Sequence, residues 1–286
     1  MKNNTKHILE INLAMLLIST SGVLGRYIDL PPAVTIGIRA FGAALLLAVF
    51  IKWKKLSFSL SRKDAPIILL SGVLMGSHWI TYFYSLQLSN VAIGMLSLFT
   101  YPVMTSLLEP IFFKTRFSKM HMLLGLLVLI GIYFLAPELT LENDNFLAIL
   151  IGLLSALFFA VRNLLVKKKI KTYNGSVIMW YQVLTIAIML IPAYFIFETE
   201  NIVSQLPYIG ILALVTTALG HTLFLFSLKH FSVTTASLMS SMQPIYGIIL
   251  GIIFLSEVPG WRTVVGGALI LVSVAVESIR AGKSTH

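Results

Sequence analysis

The chain has 286 residues, of which 57% are hydrophobic and 11% are charged, and its formal net charge at pH 7 is +10. Because an ordinary soluble domain carries about 25% charged residues, this composition excludes a soluble fold and indicates a membrane protein. Cysteine is absent, which excludes disulfides and thiolate metal sites.

Ten apolar runs follow one another along the chain. Each holds roughly 20 residues, the length that crosses a hydrocarbon core of about 30 Å as a helix. They fall near residues 8–26, 33–53, 65–87, 90–113, 119–136, 146–166, 174–197, 207–229, 231–254 and 261–280. The first run follows two lysines as a signal peptide would, but no small-residue cleavage site is evident, so we interpret it as a span. The sequence therefore predicts an all-α membrane protein with ten transmembrane helices.

Basic residues are concentrated on one side of the predicted membrane. With the N-terminus placed inside, 17 of the 21 Lys and Arg residues fall in cytoplasmic segments, whereas Arg26 and Arg262 fall outside with seven of the 11 acidic residues. This positive-inside asymmetry predicts a multi-pass protein of a bacterial-type cytoplasmic (inner) membrane, with both termini in the cytoplasm. It also accounts for the basic net charge, so no nucleic acid partner is expected.

The two halves of the chain resemble each other at a constant offset. The matching positions, 142 residues apart, are 84–86 with 226–228, Pro102 with Pro244, and Gly125 with Gly267. Each half holds five predicted spans, an odd number, so the second half enters the membrane from the opposite side. We therefore predict a first repeat at 1–137 with helices 1–5, an acidic external linker at 138–145, and an inverted second repeat at 146–286 with helices 6–10. Inverted repeats can close one side of the membrane while opening the other, which is the geometry of alternating access.

Several segments resemble the EamA-type repeat of the drug/metabolite transporter superfamily. They are residues 237–244, continued through Glu257 to 266–270, the first-half run 97–102, and Arg39 with the apolar stretch 43–50. Together they cover nearly the whole chain, and they are similar to the ten-helix EamA-like branch. The resemblance implies transport of small metabolites such as amino acids and their analogues, often outward. Thr115 departs from the glutamate that the family often has after its fourth helix, whereas Glu257 keeps it in the second half.

Ionisable side chains within the predicted spans are informative, because a charge at the bilayer centre costs about 2.5–3.5 kcal/mol on insertion scales. Six of them stand out: Arg39, His78, Glu109, Arg162, His221 and, near a span end, Glu277. Glu109 and Arg162 lie at matching depths near the inner ends of spans 4 and 6. We predict that they form an ion pair, either as an inner gate or as a static structural pair, unless each extends separately to the interface. Arg39 is expected to pair with Asp29 or Glu257, or to bind an anionic group of the substrate.

Two helix faces predict a substrate site near the bilayer midplane. Span 3 places Met75, His78, Tyr82 and, slightly rotated, Trp79 on neighbouring positions of one face. Span 4 carries Ser97 and Tyr101 at an interval of four, and the same interval continues to Thr105 and Glu109. Such polar stripes indicate either interhelical hydrogen bonds or the wall of a hydrated cavity. The other predicted substrate-binding residues come from spans 6, 8 and 9: Phe158, Phe159, His221, Gln243 and Tyr246.

Prolines, histidines and glycines add further expectations. Pro102 and Pro244 sit mid-span at equivalent places, where each removes a backbone hydrogen bond and predicts a kink that can act as a hinge. The histidines in spans 3 and 8 are either proton carriers for coupled transport or hydrogen-bonded neutral side chains. Gly247 and Gly251 form the small-residue pattern that is typical of close helix packing.

Motifs of ATP-driven or catalytic proteins do not occur. The chain has no Gly-x-x-x-x-Gly-Lys-Ser/Thr loop and no His-Glu-x-x-His zinc motif. We therefore expect no ATP coupling, no bound metal and no cofactor. The sequence and the resemblance predict a secondary transporter, with export as the favoured direction, for a small polar or amphipathic metabolite such as an amino acid or an analogue. An intramembrane enzyme or a membrane receptor without transport activity is the alternative. A monomer and a homodimer are both compatible with the sequence.

Overall fold

A computed structural model describes residues 2–114, 119–135, 140–167, 169–197, 199–221, 223–224 and 240–283, and every regular element in these residues is a helix. The first half contains α1 (Lys2–Tyr27), α2 (Pro32–Trp53), α3 (Ala65–Leu88), α4 (Val91–Leu98), α5 (Tyr101–Phe113) and α6 (Lys119–Leu135). The second half contains α7 (Asp144–Val166), a 3-10 turn (Lys169–Lys171), α8 (Gly175–Met189), α9 (Ala193–Ile196), α10 (Ile202–Ile211), a π-helix (Leu212–His221), α11 (Met242–Leu255) and α12 (Trp261–Lys283).

Six stretches of the described chain are long and apolar enough to cross a membrane. They are Pro32–Trp53, Ala65–Leu88, Val91–Phe113, Asp144–Val166, Gly175–Ile196 and Ile202–His221. Shorter apolar helices follow at Met122–Leu135, Met242–Leu255 and Trp261–Val276, and α1 adds a helix of 26 residues. The chain is therefore a multi-pass α-helical membrane protein. The predicted spans at 207–229 and 231–254 run into residues 225–239, which lie outside the described residues, as do the predictions for Thr115, for linker residues 138–139 and for the Glu277 side chain.

Asparagine side chains begin three of the helices. Asn90 accepts a hydrogen bond from the Ile93 backbone N–H at 2.9 Å at the start of α4. Asn143 does the same for α7 and Asn174 for α8. Each cap satisfies a backbone donor that the first turn of a helix leaves unpaired, so these three residues fix where the spans begin.

The fourth predicted span is interrupted in its middle. Its regular helix stops at Leu98 and resumes at Tyr101, immediately before Pro102. Because proline has no N–H, it cannot donate to the carbonyl of Leu98, four residues earlier, which explains the position of the break. Pro244 likewise falls in the first turn of α11, just after a turn at Ser241. The structure thus has a discontinuity before each proline.

Small residues allow several helices to approach closely. Gly152 on α7 faces α4, where a Cβ on residue 152 would lie 2.6 Å from the Cβ of Ser97. Gly247 on α11 packs against Met95 of α4 so closely that a Cβ would overlap the sulfur atom. These contacts agree with the close helix packing predicted for span 9. Large apolar side chains such as Leu129 and Ile253 are mostly exposed on the outside, as expected for surfaces that face lipid.

Polar contacts join the helices at one end of the bundle, which we call the lysine-rich end. Asp64, before α3, forms an ion pair with Lys169 and accepts a hydrogen bond from the Tyr173 hydroxyl at 2.8 Å. These two partners, the ammonium first, hold the pKa of the Asp64 carboxyl below its usual value. Tyr181 donates to the Phe58 carbonyl at 2.7 Å. The α2–α3 loop is therefore tied to the connection between α7 and α8.

A second polar network joins helices at the opposite end. Arg26, at the end of α1, donates to Glu257 at 3.1 Å and to the Gln87 carbonyl at 2.9 Å. Glu257, after α11, also accepts a hydrogen bond of 2.8 Å from the Val91 backbone N–H at the start of α4. One carboxylate thus links three helices, and the positive end of the α4 dipole stabilises its charge.

Candidate functional site

A cavity of about 400 Å³ lies between helices of the two halves. Its lining comes from α1 to α5 on one side and from α7, α8, the π-helix and α11 on the other. This volume is in the range of small-molecule binding sites. The lining extends to Lys167 and Ile170 at the lysine-rich end, whereas Arg26, Gln87 and Glu257 at the opposite end are not part of it.

The predicted face of α3 lines the cavity with four side chains: Met75, His78, Trp79 and Tyr82. The Nδ1 atom of His78 lies 2.8 Å from the Ser155 Oγ atom, and that hydroxyl in turn donates to the His78 carbonyl at 2.8 Å. Because a serine hydroxyl has one proton, the Nδ1 atom must be the donor in the first contact. The hydrogen bonds therefore fix both the orientation and the proton position of the imidazole.

Aromatic rings from three helices form one wall of the cavity. The His78 ring stacks on Phe159 of α7, with ring centroids 4.6 Å apart. The Tyr101 ring of α5 packs edge-on against the same phenylalanine at 4.7 Å. Phe159 is thus the centre of the wall, whereas Phe158, the other predicted residue of span 6, is absent from the lining.

Arg39 lies deep inside the helix bundle, where its side chain is only 1% exposed. Its Nε atom donates to the Thr217 hydroxyl of the π-helix at 2.8 Å, and its Cζ atom lies 4.1 Å from the centre of the Trp79 ring. The predicted pairing of Arg39 with Asp29 or Glu257 is wrong. Arg39 lies seven residues inside α2, about 10 Å from the end of that helix, and so is too deep to reach those carboxylates.

The predicted ion pair between Glu109 and Arg162 is also wrong. Arg162 donates to the Gln182 side-chain oxygen at 2.5 Å and to that of Asn163 at 2.9 Å. Glu109 instead forms an ion pair with Lys167, whose side chain is 51% exposed at the end of α7. The lysine reaches Glu109 from the mouth of the cavity, where both charges keep contact with water, so this pair requires less desolvation.

The remaining predicted residues divide into two groups. His221 and Gln243 line the cavity, and the His221 ring lies 6.2 Å from that of Trp79. Ser97 and Tyr246 do not line it. Ser97 is fully buried and donates to the Ile93 carbonyl at 2.7 Å, while the Tyr246 hydroxyl donates to Asn12 of α1 at 3.0 Å. Pro102 belongs to the lining and Pro244 does not.

Several residues of the site were not predicted. Thr217 and Ser155 hold Arg39 and His78, but small hydroxyl residues are common within membrane helices and give little signal. Gln182 and Asn163, the partners of Arg162, are more conspicuous because amides are rare in apolar runs. Within the described part of the chain, no group of three acidic or histidine side chains is placed to hold a metal ion.

Comparison with known proteins identifies the family. The model of the EamA-like transporter family matches residues 5–136 and again 146–279. The pseudopaline exporter CntI of Pseudomonas aeruginosa is 24% identical over 241 residues, which cover 82% of this chain and 83% of that protein. Solute carrier family 35 member G1 of Mus musculus is 24% identical and covers 85% of this chain and 70% of its own length. YwfM of Bacillus subtilis, an uncharacterized transporter, is 23% identical over 83% of this chain and 80% of its own.

The fold also has a counterpart among solved structures. The alignment with one crystal structure covers 97% of this chain and 99% of the chain in that structure, with a TM-score of 0.69. Because the sequence identity is 17%, the similarity shows the fold alone. The family match covers most of the chain, in two segments on either side of the acidic connection. The chain therefore belongs to the EamA-like transporter family, within the drug/metabolite transporter superfamily.

Proposed function

We propose that the chain is a secondary transporter that exports a small polar or amphipathic metabolite, such as an amino acid or an analogue, by alternating access. The observation that carries this proposal is the cavity of about 400 Å³ between the two halves. It reaches the lysine-rich end at Lys167 and Ile170, and it stops short of the network around Glu257. A site open at one end and closed at the other is what one state of an alternating-access cycle requires.

The proposed architecture has ten transmembrane helices in two inverted repeats, at 1–137 and 146–286, joined by an external linker at 138–145. Support comes from the packing, because α2 packs on α8 and α6 packs on α12. Each of these pairs joins helices with the same place in their repeats, as expected of elements beside a two-fold axis. The discontinuities before Pro102 and Pro244 are the proposed hinges.

The proposed substrate site consists of the predicted residues that line the cavity: His78, Trp79, Tyr82, Tyr101, Phe159, His221 and Gln243. The aromatic rings offer apolar contact, while the imidazoles and the amide orient polar groups. His78 and His221 are also the proposed proton carriers if the flux is driven by a proton gradient, since an imidazole ring can take up and release a proton.

Loading of the substrate from the cytoplasm agrees with the sidedness that the basic residues favour. Lys167 and Lys169 lie at the open end of the cavity, and the positive-inside rule assigns that end to the cytoplasm of a bacterial-type inner membrane. The substrate would then be loaded from inside. The name of the Pseudomonas aeruginosa relative, a pseudopaline exporter, supports the same direction.

Catalysis is the rival function, and the contact between His78 and Ser155 is its best candidate as a nucleophilic pair. The geometry disfavours it. The Ser155 hydroxyl donates its proton to a backbone carbonyl, so the imidazole is not placed to remove it. Ser155 is also fully buried and does not line the cavity. We therefore assign transport, and not an enzymatic reaction, to the site.

The test is substrate flux in proteoliposomes, after a thermal-shift screen of metabolites has identified a ligand. We expect Tyr82→Ala, Tyr101→Ala and Gln243→Ala to reduce flux of that ligand without lowering the amount of folded protein. Leu126→Ala is the matched control, because Leu126 lies on α6 with 54% of its surface exposed and away from the cavity. Wild-type affinity and flux in all three cavity variants would contradict the assignment.

A further inference from the structure

The cavity carries positive charge that no carboxylate of the described residues neutralises. Arg39, Arg162 and Lys167 line it, and Glu109 is the one acidic residue among the described residues of its lining. The ion pair between Glu109 and Lys167 accounts for one charge of each sign. Both guanidinium groups remain, because arginine stays protonated in proteins.

The acceptors of the two arginines are neutral. Arg39 donates to the Thr217 hydroxyl, and Arg162 donates to the amide oxygens of Gln182 and Asn163. A buried cation is usually paired with an anion, because neutral acceptors replace only part of its hydration. The two guanidinium groups therefore create a strong preference for an anionic ligand.

An unsatisfied donor points to the same ligand. The Nε–H group of Arg162 is buried and has no hydrogen-bond partner among the described residues, and Arg162 belongs to the cavity lining. Since an unpaired buried donor is costly, a ligand that brings oxygen acceptors to this place would bind favourably.

The two arginines face different parts of one aromatic surface. Arg39 lies over Trp79, whereas the Cζ atom of Arg162 is 5.9 Å from the centre of the Phe159 ring. His78, next to Trp79 along α3, stacks on Phe159 and so connects the two places. A ligand that reached both arginines would cross these rings, so its middle must be apolar or planar.

We infer that the transported substrate is a small organic dianion, with two carboxylate groups joined by a short apolar segment, and that Arg39 and Arg162 each bind one of its acid groups. This assignment rests on the proposed transport function and adds the chemical class of the substrate. Glu109 and Lys167 neutralise each other at the mouth of the cavity. The charge that selects an anion therefore comes from the two arginines deeper in the cavity.

Matched probes test the inference by binding. The purified protein is titrated with straight-chain dicarboxylates from succinate to suberate, and with the diamides and diamines of equal length, while its melting temperature is recorded. We expect stabilisation by dicarboxylates and none by the diamides or diamines. Arg39→Gln and Arg162→Gln should each weaken dicarboxylate binding by at least about tenfold, as the loss of a charged hydrogen-bond partner implies.

Two controls separate binding from folding. Arg39→Lys and Arg162→Lys keep the positive charge and should retain more dicarboxylate affinity than the glutamine variants. Arg262→Gln removes an arginine that packs on Trp261 outside the cavity and should bind as the wild type does. Equal stabilisation by diamides, no response to any dicarboxylate, or unchanged affinity in both glutamine variants would overturn the dianion assignment.

Anionic lipid headgroups share the carboxylate's charge and could reach the cavity from its open end. Nanodiscs of phosphatidylglycerol and of phosphatidylcholine distinguish the two sources. If phosphatidylglycerol alone gives the arginine-dependent stabilisation and dicarboxylates add nothing, the inference fails.

Flux measurements distinguish failure of this inference from failure of the proposed transport function. If dicarboxylates bind but show no counterflow in proteoliposomes, the transport function is contradicted and the binding of a dianion is not. If an uncharged metabolite is transported independently of the two arginines, the dianion assignment is contradicted and the transport function is not.

Discussion

The Arg162 guanidinium on α7 donates a hydrogen bond of 2.5 Å to the side-chain oxygen of Gln182 on α8. The amide nitrogen of the same glutamine donates to the Ser71 hydroxyl on α3 at 2.7 Å, and Gln182 is fully buried. A neutral side chain thus orients the arginine between three helices and leaves its charge available to a ligand.

Gln182→Glu should raise stability while impairing function. The new carboxylate would have nearly the same shape, and it would neutralise Arg162 from within the protein. We expect a gain of about 1 kcal/mol in the free energy of unfolding, together with loss of dicarboxylate binding and flux, because the internal anion competes with the ligand. Gln182→Met is the comparison that removes the acceptor without adding charge. Unchanged flux in the glutamate variant would show that Arg162 does not meet the substrate.

The ion pair between Glu109 and Lys167 should contribute little to stability. Their side chains are 38% and 51% exposed, so water screens the attraction. In a double-mutant cycle with Glu109→Gln and Lys167→Met, we expect a coupling energy below about 1 kcal/mol, measured by unfolding in detergent. A coupling energy of several kcal/mol would instead indicate a desolvated pair that holds α5 against α7.

Asp64 should make stability depend on pH in the acid range. Its pKa is lowered in the folded protein by Lys169 and Tyr173, so its contribution is present above the unfolded pKa of about 3.9 and is lost as the pH falls through the folded value. The wild type should therefore melt higher than Asp64→Asn at pH 6, and the difference should shrink towards pH 3. Tyr173→Phe removes one of the two hydrogen bonds to Asp64, so its melting temperature at pH 6 should fall between those of the wild type and Asp64→Asn. A difference that does not vary with pH would contradict this account.

The face of α3 could be predicted because it depends on one helix. Met75, His78, Trp79 and Tyr82 follow the spacing of an uninterrupted helix, and all four line the cavity. Where a span is interrupted, helical spacing no longer predicts which residues share a face. The break before Pro102 shifts the phase between α4 and α5, so Ser97 turns to Gly152 while Tyr101 faces the cavity.

The partners of the charged residues could not be predicted, because they depend on how helices rotate against one another. At the repeat offset of 142, the position equivalent to His78 is residue 220, so His221 lies one residue further along the chain. On an uninterrupted α-helix, this shift would turn His221 by about 100° from the direction of His78. The π-helix that contains His221 has hydrogen bonds between residues five apart, which changes this phase, and both histidines line the cavity. The matching depths of Glu109 and Arg162 in the membrane predict an ion pair between them, but the structure pairs Glu109 with Lys167, whose long side chain extends to the carboxylate.

The proposed opposite orientation of the two repeats predicts the sides of two connections. The stretch Asp144–Val166 is a single apolar helix of 23 residues, enough to cross the membrane once. Reporter fusions after Asn143 and after Lys171 should therefore respond on opposite sides, with the second one cytoplasmic. Activity of both fusions on the same side would refute the inverted arrangement.

The network around Glu257 provides the last prediction, which concerns how the opposite end opens. Glu257 joins Arg26 of α1 to the start of α4, and the proposed alternating access requires that these contacts separate in each cycle. Because the chain has no cysteine, Arg26→Cys with Glu257→Cys introduces the only two thiols. A cleavable bifunctional reagent long enough to span the two side chains should link them in the ligand-free protein and stop flux.

Reduction of the cross-link should restore that flux, and each single-cysteine variant treated with the same reagent should remain active. The cavity of the cross-linked protein should still bind ligand from the lysine-rich end, because Lys167 and Ile170 at its mouth are remote from the linked residues. Binding without flux would mean that the linked protein is held in the conformation described here. Undiminished flux after complete cross-linking would show instead that Arg26 and Glu257 stay together throughout the cycle, so that the substrate leaves by another path.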